Sequence, residues 1–233
     1  MKVMTIKRTF LAALALGAAL SCTTAASAEM VLSQVIVDLL PGKPPREDIE
    51  VWNDGAERMY VLAEPFEITA AGTPQEQRNP AGLPEESGLL VSPQRLVLEP
   101  GERRTVRVAA IGERPAADRV YRVAIRPVAG AVSAEESALK VFVGYDTLVL
   151  VRPERVTGEI EARRVGRTLV LVNAGNTAQE LFGGLQCDAA GGNCQALPAK
   201  RLYPGASWEQ ALPYDTPVTY TAGIGPTVRA RQF

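Results

Sequence analysis

From residue 30 onward, apolar and polar residues alternate with a period of two, in short β-rich runs that recur about every ten residues. Gly, Pro, Asn or Asp stand between the runs, and no good amphipathic helix pattern interrupts them. A chain written this way folds as antiparallel sheets packed face to face. Strands are expected at 30–37, 48–53, 59–68, 89–91 with 96–98, 105–110, 120–128 and 139–151. Asn53-Asp54-Gly55 and Glu99-Pro100-Gly101 supply turn chemistry. About seven strands over about 120 residues is the size of one immunoglobulin-like sandwich. Segment 71–88, rich in Pro and Glu, reads as a mobile insertion between strands. Proline cannot donate to a ladder, so Arg152-Pro153 ends the last run and opens a linker. A second, shorter series follows at 157–162, 168–172, 180–187, 194–202, 208–211, 218–221 and 227–231. The expected fold is all-β, with two sandwich domains over 29–152 and 153–233.

The first 28 residues read as a signal peptide. Lys2, Lys7 and Arg8 precede an apolar run from Phe10 to Leu20, and Ala26-Ser27-Ala28 makes a small-x-small cleavage site. The run is too short for a stable membrane anchor. A lipoprotein site at Cys22 is the rival reading, with Ala19-Leu20-Ser21-Cys22 a poor lipobox. Cleavage after Ala28 removes three of the 25 cations, leaving 22 against 26 acids and a net charge of −4. That balance lacks the basic footprint of a nucleic-acid binder.

The sequence has no histidine. Imidazole-activated nucleophiles, His-liganded zinc and histidine pH switches are therefore closed to it, and no enzyme, metal or cofactor is expected. Cys187 and Cys194 are the only cysteines beyond the signal. In an exported chain they read as a disulfide clasping a hairpin, which stabilises by roughly 2.5 kcal/mol in the chain-entropy model. The alternative, a redox-active pair, lacks the C-x-x-C spacing. Trp52 and Trp208 read as core residues, and Gly223-Ile224-Gly225 as a turn before a final strand.

Several ordered motifs carry a resemblance across residues 29–233. They are Val51-Trp52-Asn53-Asp54-Gly55 with Met59-Tyr60-Val61, Leu96-Val97-Leu98-Glu99-Pro100-Gly101 with Thr105-Val106-Arg107-Val108, and Tyr121-Arg122-Val123-Ala124-Ile125. In the second half, Leu169–Asn173 with Gly175-Asn176, and Leu202-Tyr203-Pro204-Gly205, add to the set. Together they resemble the PapD-like periplasmic chaperones of pilus assembly, in particular the atypical, archaic-like branch, whose sandwiches are immunoglobulin-like.

The resemblance implies a periplasmic protein that lends its last N-domain strand to an unfinished pilus or fimbrial subunit and passes the subunit to an outer-membrane usher. The groove-filling residues would be Leu139, Val141 and Val143, with Tyr145 continuing their parity. The same strand offers the free chain a second copy as its cap, a self-capping homodimer. The basic residues that bind the subunit's C-terminal carboxylate in this family fall at Val37 and Leu148, neither of which can hold an anion. Arg122 and Arg126, which share one face of their strand, and Arg152 are the replacement candidates; ordinary surface arginines are the alternative. Two further readings stay open: the 139–151 strand as a plain sandwich edge, and the whole chain as an exported adhesive or carbohydrate-binding module.

Overall fold

The structure, a computed structural model, describes residues 30–128 and 142–233. The described residues of the first half form β1 (Met30–Leu32), β2 (Ile36–Leu39), β3 (Arg46–Asn53), β4 (Met59–Thr69), β5 (Gln77–Pro80), the helical turn α1 (Pro84–Ser87), β6 (Leu89–Ser92), β7 (Arg95–Leu98), β8 (Arg103–Ala110), β9 (Arg119–Val128) and β10 (Tyr145–Val151). One sheet runs β1-β3-β8-β6, and the other runs β2-β10-β9-β4-β5 with β7 also on β4. Alternation places Ile49 and Val51, Val106 and Val108, Tyr121 and Val123, and Val149 and Val151 in one core between them.

The second half forms β11 (Ile160–Val165), β12 (Thr168–Asn173), β13 (Gln179–Cys187), β14 (Cys194–Leu197), β15 (Lys200–Leu202), β16 (Ser207–Ala211), β17 (Thr219–Ile224) and β18 (Thr227–Gln232). Its sheets are β11-β12-β16 and β14-β13-β17-β18, with β15 on β13. Leu169, Leu171, Leu181, Leu202, Val218 and Tyr220 fill its core. The architecture is thus the two all-β sandwiches expected. Cys187 and Cys194 face each other across the β13–β14 hairpin and are bonded.

Four expectations are corrected. The 30–37 run is two strands in different sheets. Ser33 closes the first by donating its N–H to Glu50 O and accepting the Glu50 N–H on Oγ, and the chain then crosses to the other sheet. The 194–202 run is broken at Pro198, which has no N–H for the ladder. Segment 71–88 is built into the fold: β5 pairs with β4, and Ala71 is buried. Trp52 points outward beneath Arg103, 4.2 Å from ring centroid to guanidinium carbon, because Ile49, Val51 and Asn53 take the core face of β3. Trp208 does pack on the second core, edge-on to Tyr220 at 6.1 Å.

Each sandwich is pinned by the same buried asparagine device. Asn53 donates its amide to Glu57 O (2.6 Å) and Leu98 O (3.2 Å) and accepts the Gly55 N–H (3.0 Å). Asn173 donates to Thr177 O (2.9 Å) and Leu202 O (2.8 Å) and accepts the Gly175 N–H (2.9 Å). In both, the Pro-Gly turn after the bonded leucine returns a glycine N–H to the asparagine carbonyl, from Gly101 and from Gly205. Emptying either site would leave two carbonyls and an amide without partners, at about 1–3 kcal/mol per orphaned group.

The sandwiches meet over a third apolar cluster. Ile68, Val120, Leu148 and Leu150, on the outward face of β4, β9 and β10, and Ala71 just beyond β4 are covered by Tyr203 of the second half. Asn176 adds hydrogen bonds across the junction, donating its side-chain amide to Ala116 O and accepting the Asp118 N–H on its main-chain carbonyl.

Candidate functional site

β10 is paired with β9 along its whole length, Tyr145 to Val151, but with β2 only from Leu148 to Val151. Leu148 and Arg152 donate their N–H groups to Val35 O and Leu39 O on the β2 side. Backbone alternation therefore aims the Asp146 N–H the same way, where no strand among the described residues receives it. The cause is the crossover at Ser33, which takes the chain preceding β2 into the other sheet. An unpaired edge of this kind is a template for a partner's strand.

The groove-filling candidates distribute along this edge. Leu139 and Val141 lie outside the described residues. Val143 precedes β10 and is 56% exposed. Tyr145 packs its ring on the first core and donates its hydroxyl to Met30 O at 3.0 Å, so in the free chain it fills its own sandwich. Between them, Gly144 lies so close to β9 that a β-carbon there would stand 2.8 Å from Arg126 Cβ.

The three candidate arginines are not brought together. Arg122 and Arg126 do share the outward face of β9, but four steps along the strand set their backbones about 13 Å apart, and each guanidinium has its own acid. Arg126 is engaged by Glu64 at 2.8 Å. Arg122 donates Nη1 to Asp146 O at 3.1 Å, and its Nε stands 3.8 Å from the Asp146 carboxylate. That carboxylate is already held by both Arg78 nitrogens, at 2.8 and 3.0 Å. Arg122 lines a cleft of about 210 Å³ with Arg78, Glu76 and Tyr203.

The Arg152 guanidinium is engaged on every nitrogen by partners within the chain. It donates Nε and Nη2 to the two Asp38 oxygens (2.6 and 2.9 Å) and Nη1 to Asp118 Oδ2, Thr177 Oγ1 and Ala178 O. Asp118, its side chain fully buried, also accepts the Thr177 hydroxyl and the Ala178 N–H. Burial raises the Asp118 pKa against the pull of Arg152 and these donors. Burial works against the Arg152 charge, yet Asp38 and Asp118 outweigh it and its pKa ends raised. The group joins both sandwiches, with Asp38, Asp118 and Arg152 from the first and Thr177 and Ala178 from the second.

Val37 points into the first core, and the outward positions of β2 are Ile36 and Asp38. Leu148 is buried beneath the second sandwich. Asp38, Asp118 and Thr177 escape sequence reasoning; the one available signal is an aspartate inside the apolar run Val35-Ile36-Val37-Asp38-Leu39-Leu40.

Neither a family model nor a curated protein matches the sequence. Solved structures do. The chain is similar to the class 5 fimbriae chaperone CfaA, with a TM-score of 0.65 at 20% identity over 87% of this chain and 98% of that one. It is similar to the E. coli chaperone DraB, with a TM-score of 0.60 at 20% identity over 88% and 95%. It also matches a structure of Salmonella enterica SafA pilin in complex with the SafB chaperone, at 0.61 and 15% identity over 88% and 96%. The fold is that of the fimbrial chaperones. In this version of it, the open side of β10 and the cleft between sandwiches lie side by side, and an arginine clamp fixes their relation.

Proposed function

We propose that this chain is an exported, non-enzymatic chaperone of pilus assembly. With residues 1–28 removed as a signal peptide, the 29–152 and 153–233 sandwiches hold an unfinished pilus subunit in the periplasm and deliver it to an outer-membrane usher. The observation that carries this reading is the open edge of β10, three residues of which have a strand on one side only among the described residues. The likeness of the fold to the fimbrial chaperones supports it.

A subunit lacking its last strand has an apolar groove and unpaired edge groups. The edge of β10 and the residues leading into it supply main-chain partners, and Leu139, Val141 and Val143 enter the groove at a spacing of two. Each side chain so buried contributes about 1.5–3 kcal/mol before ordering costs. Tyr145, tied to its own core, ends the lent stretch. Arg122 receives the subunit's terminal carboxylate, because it can leave Asp146 without orphaning it, Arg78 being that acid's bidentate partner. Release needs no nucleotide: a neighbouring subunit's extension that fills the groove better displaces the chaperone. Without a subunit, the same edge pairs with a second copy of the chain.

The test is co-purification of a co-expressed pilus subunit. Leu139, Val141 and Val143 together changed to Ser should abolish capture in a folded chain, and Arg122→Ala should weaken it. Undiminished capture by the triple variant would remove the strand-lending reading.

A further inference from the structure

We infer that the outward face of the β14-β13-β17-β18 sheet is a second docking surface for the subunit held on β10. The inference rests on the chaperone reading above and adds a contact to it. Register sets the face: Phe182 stands beside Thr221 and Ala230, Leu185 beside Thr219, and Gly223 beside Val228. Leu181, Tyr220 and Ala222, at the alternate positions, fill the core. None of the outward residues just named is charged. Glu180 and Arg201, at the near end, form an ion pair at 2.6 Å.

The solvated face of an antiparallel sheet is normally polar. The outward face of β3 and β8 in the first sandwich follows that rule, with Asp48 paired to Arg107 at 2.8 Å and Arg103 over Trp52. Here, by contrast, Phe182 is 38%, Leu185 45% and Val228 56% exposed. Gly223 forms a shallow floor between two of them: a β-carbon there would stand 3.3 Å from Phe182 Cε1 and 3.4 Å from Val228 Cγ1.

The position of the face identifies its occupant. At Phe182 and Val228 it opens into a cleft of about 500 Å³, whose opposite wall is Ile36 and Leu40 of the first sandwich. β2 flanks β10 on the side where the edge is open, and Val35 and Ile36, at the start of β2, are about half exposed. A body seated on the β10 edge lies end to end with β2. It abuts Val35 and Ile36 first and then reaches the cleft and the sheet beyond. The matching surface is an uncharged patch of a folded β-rich protein; an acidic or phosphate-bearing ligand would find no unpaired cation among the residues named.

The experiment uses the full mature chain co-expressed with a pilus subunit. Ala230→Glu plants a charge at an exposed site, Phe182→Ser removes the largest side chain, and a photo-crosslinking residue at 182 reports contact. Expected are unchanged melting temperatures, capture reduced about tenfold in each variant, and a crosslink from 182 to the subunit. If the wild-type chain captures subunit but both variants do so equally well and 182 does not crosslink to it, the inference falls and the chaperone reading stands. A crosslink between two copies of the chain, without one to the subunit, assigns the face to self-association and overturns it. No capture by the wild-type chain sinks the reading and the inference together.

Discussion

At the scale of single residues, Arg152 bears the heaviest electrostatic duty, because its removal strands Asp118 as a buried, unpaired carboxylate. Arg152→Ala should cost about 3–5 kcal/mol, read as a fall in the denaturant midpoint. Arg152→Lys should recover little of that, since a point ammonium cannot reproduce a planar fork that reaches Asp38, Asp118, Thr177 and Ala178 at once. The sign of the pH effect follows from Asp118. Its folded pKa is raised by burial, and loss of Arg152 raises it further, so the deficit is largest at neutrality and shrinks as acid protonates the carboxyl. Tyr220 sets a limit at the other end of the scale. Burial pushes its hydroxyl up to about 12, and the group donates to Pro198 O. A raised tyrosine pKa lends stability that is complete below about pH 10 and is lost as pH climbs through the folded value. Tyr220→Phe should therefore flatten the alkaline fall in stability between about pH 10 and 12, measured by unfolding at stepped pH. None of this is legible residue by residue. Asp38, Asp118 and Thr177 lie far apart in the chain, and only the junction brings them to one guanidinium.

At the scale of elements, period two locates the strands well, while neighbour relations decide what each strand does. The run at 30–37 is apolar except for Ser33-Gln34, and that polar pair alone does not say that the chain changes sheets there; the partner Glu50 does. That switch is also what leaves β10 open. Trp52 is misplaced by hydrophobicity for the same kind of reason. A buried asparagine next door takes the core position, and the register forces the indole outward. Segment 71–88 looks like a loop from composition, and its ordering comes from β4 and from Tyr203. Gly144 is the sensitive point of the lending element. In Gly144→Val the new side chain collides with Arg126 and pries the start of β10 from β9. The expected outcome is a stability loss of about 1 kcal/mol, roughly 2–4 °C in melting temperature, with capture of a co-expressed subunit lost. Full capture by this variant would show that the geometry of this edge is irrelevant to binding.

At the scale of the whole molecule, one device is used twice. A buried asparagine and a Pro-Gly return close each sandwich, with the pairs Asn53–Leu98 and Asn173–Leu202 playing equivalent parts. The junction then carries two different fastenings, the apolar cluster under Tyr203 and the Arg152 clamp. The two-sandwich plan and the hairpin disulfide are readable from spacing alone, because turns and cysteines act locally. The cleft is not, because Ile36, Phe182 and Val228 come together only when both sandwiches are in place. The central claim, that the chain offers a partner the unpaired side of β10, is tested most directly by hydrogen exchange at the Asp146 amide, with and without a bound pilus subunit. A markedly slowed exchange in the complex is the predicted result, and an exchange rate equal to that of the free chain would contradict it.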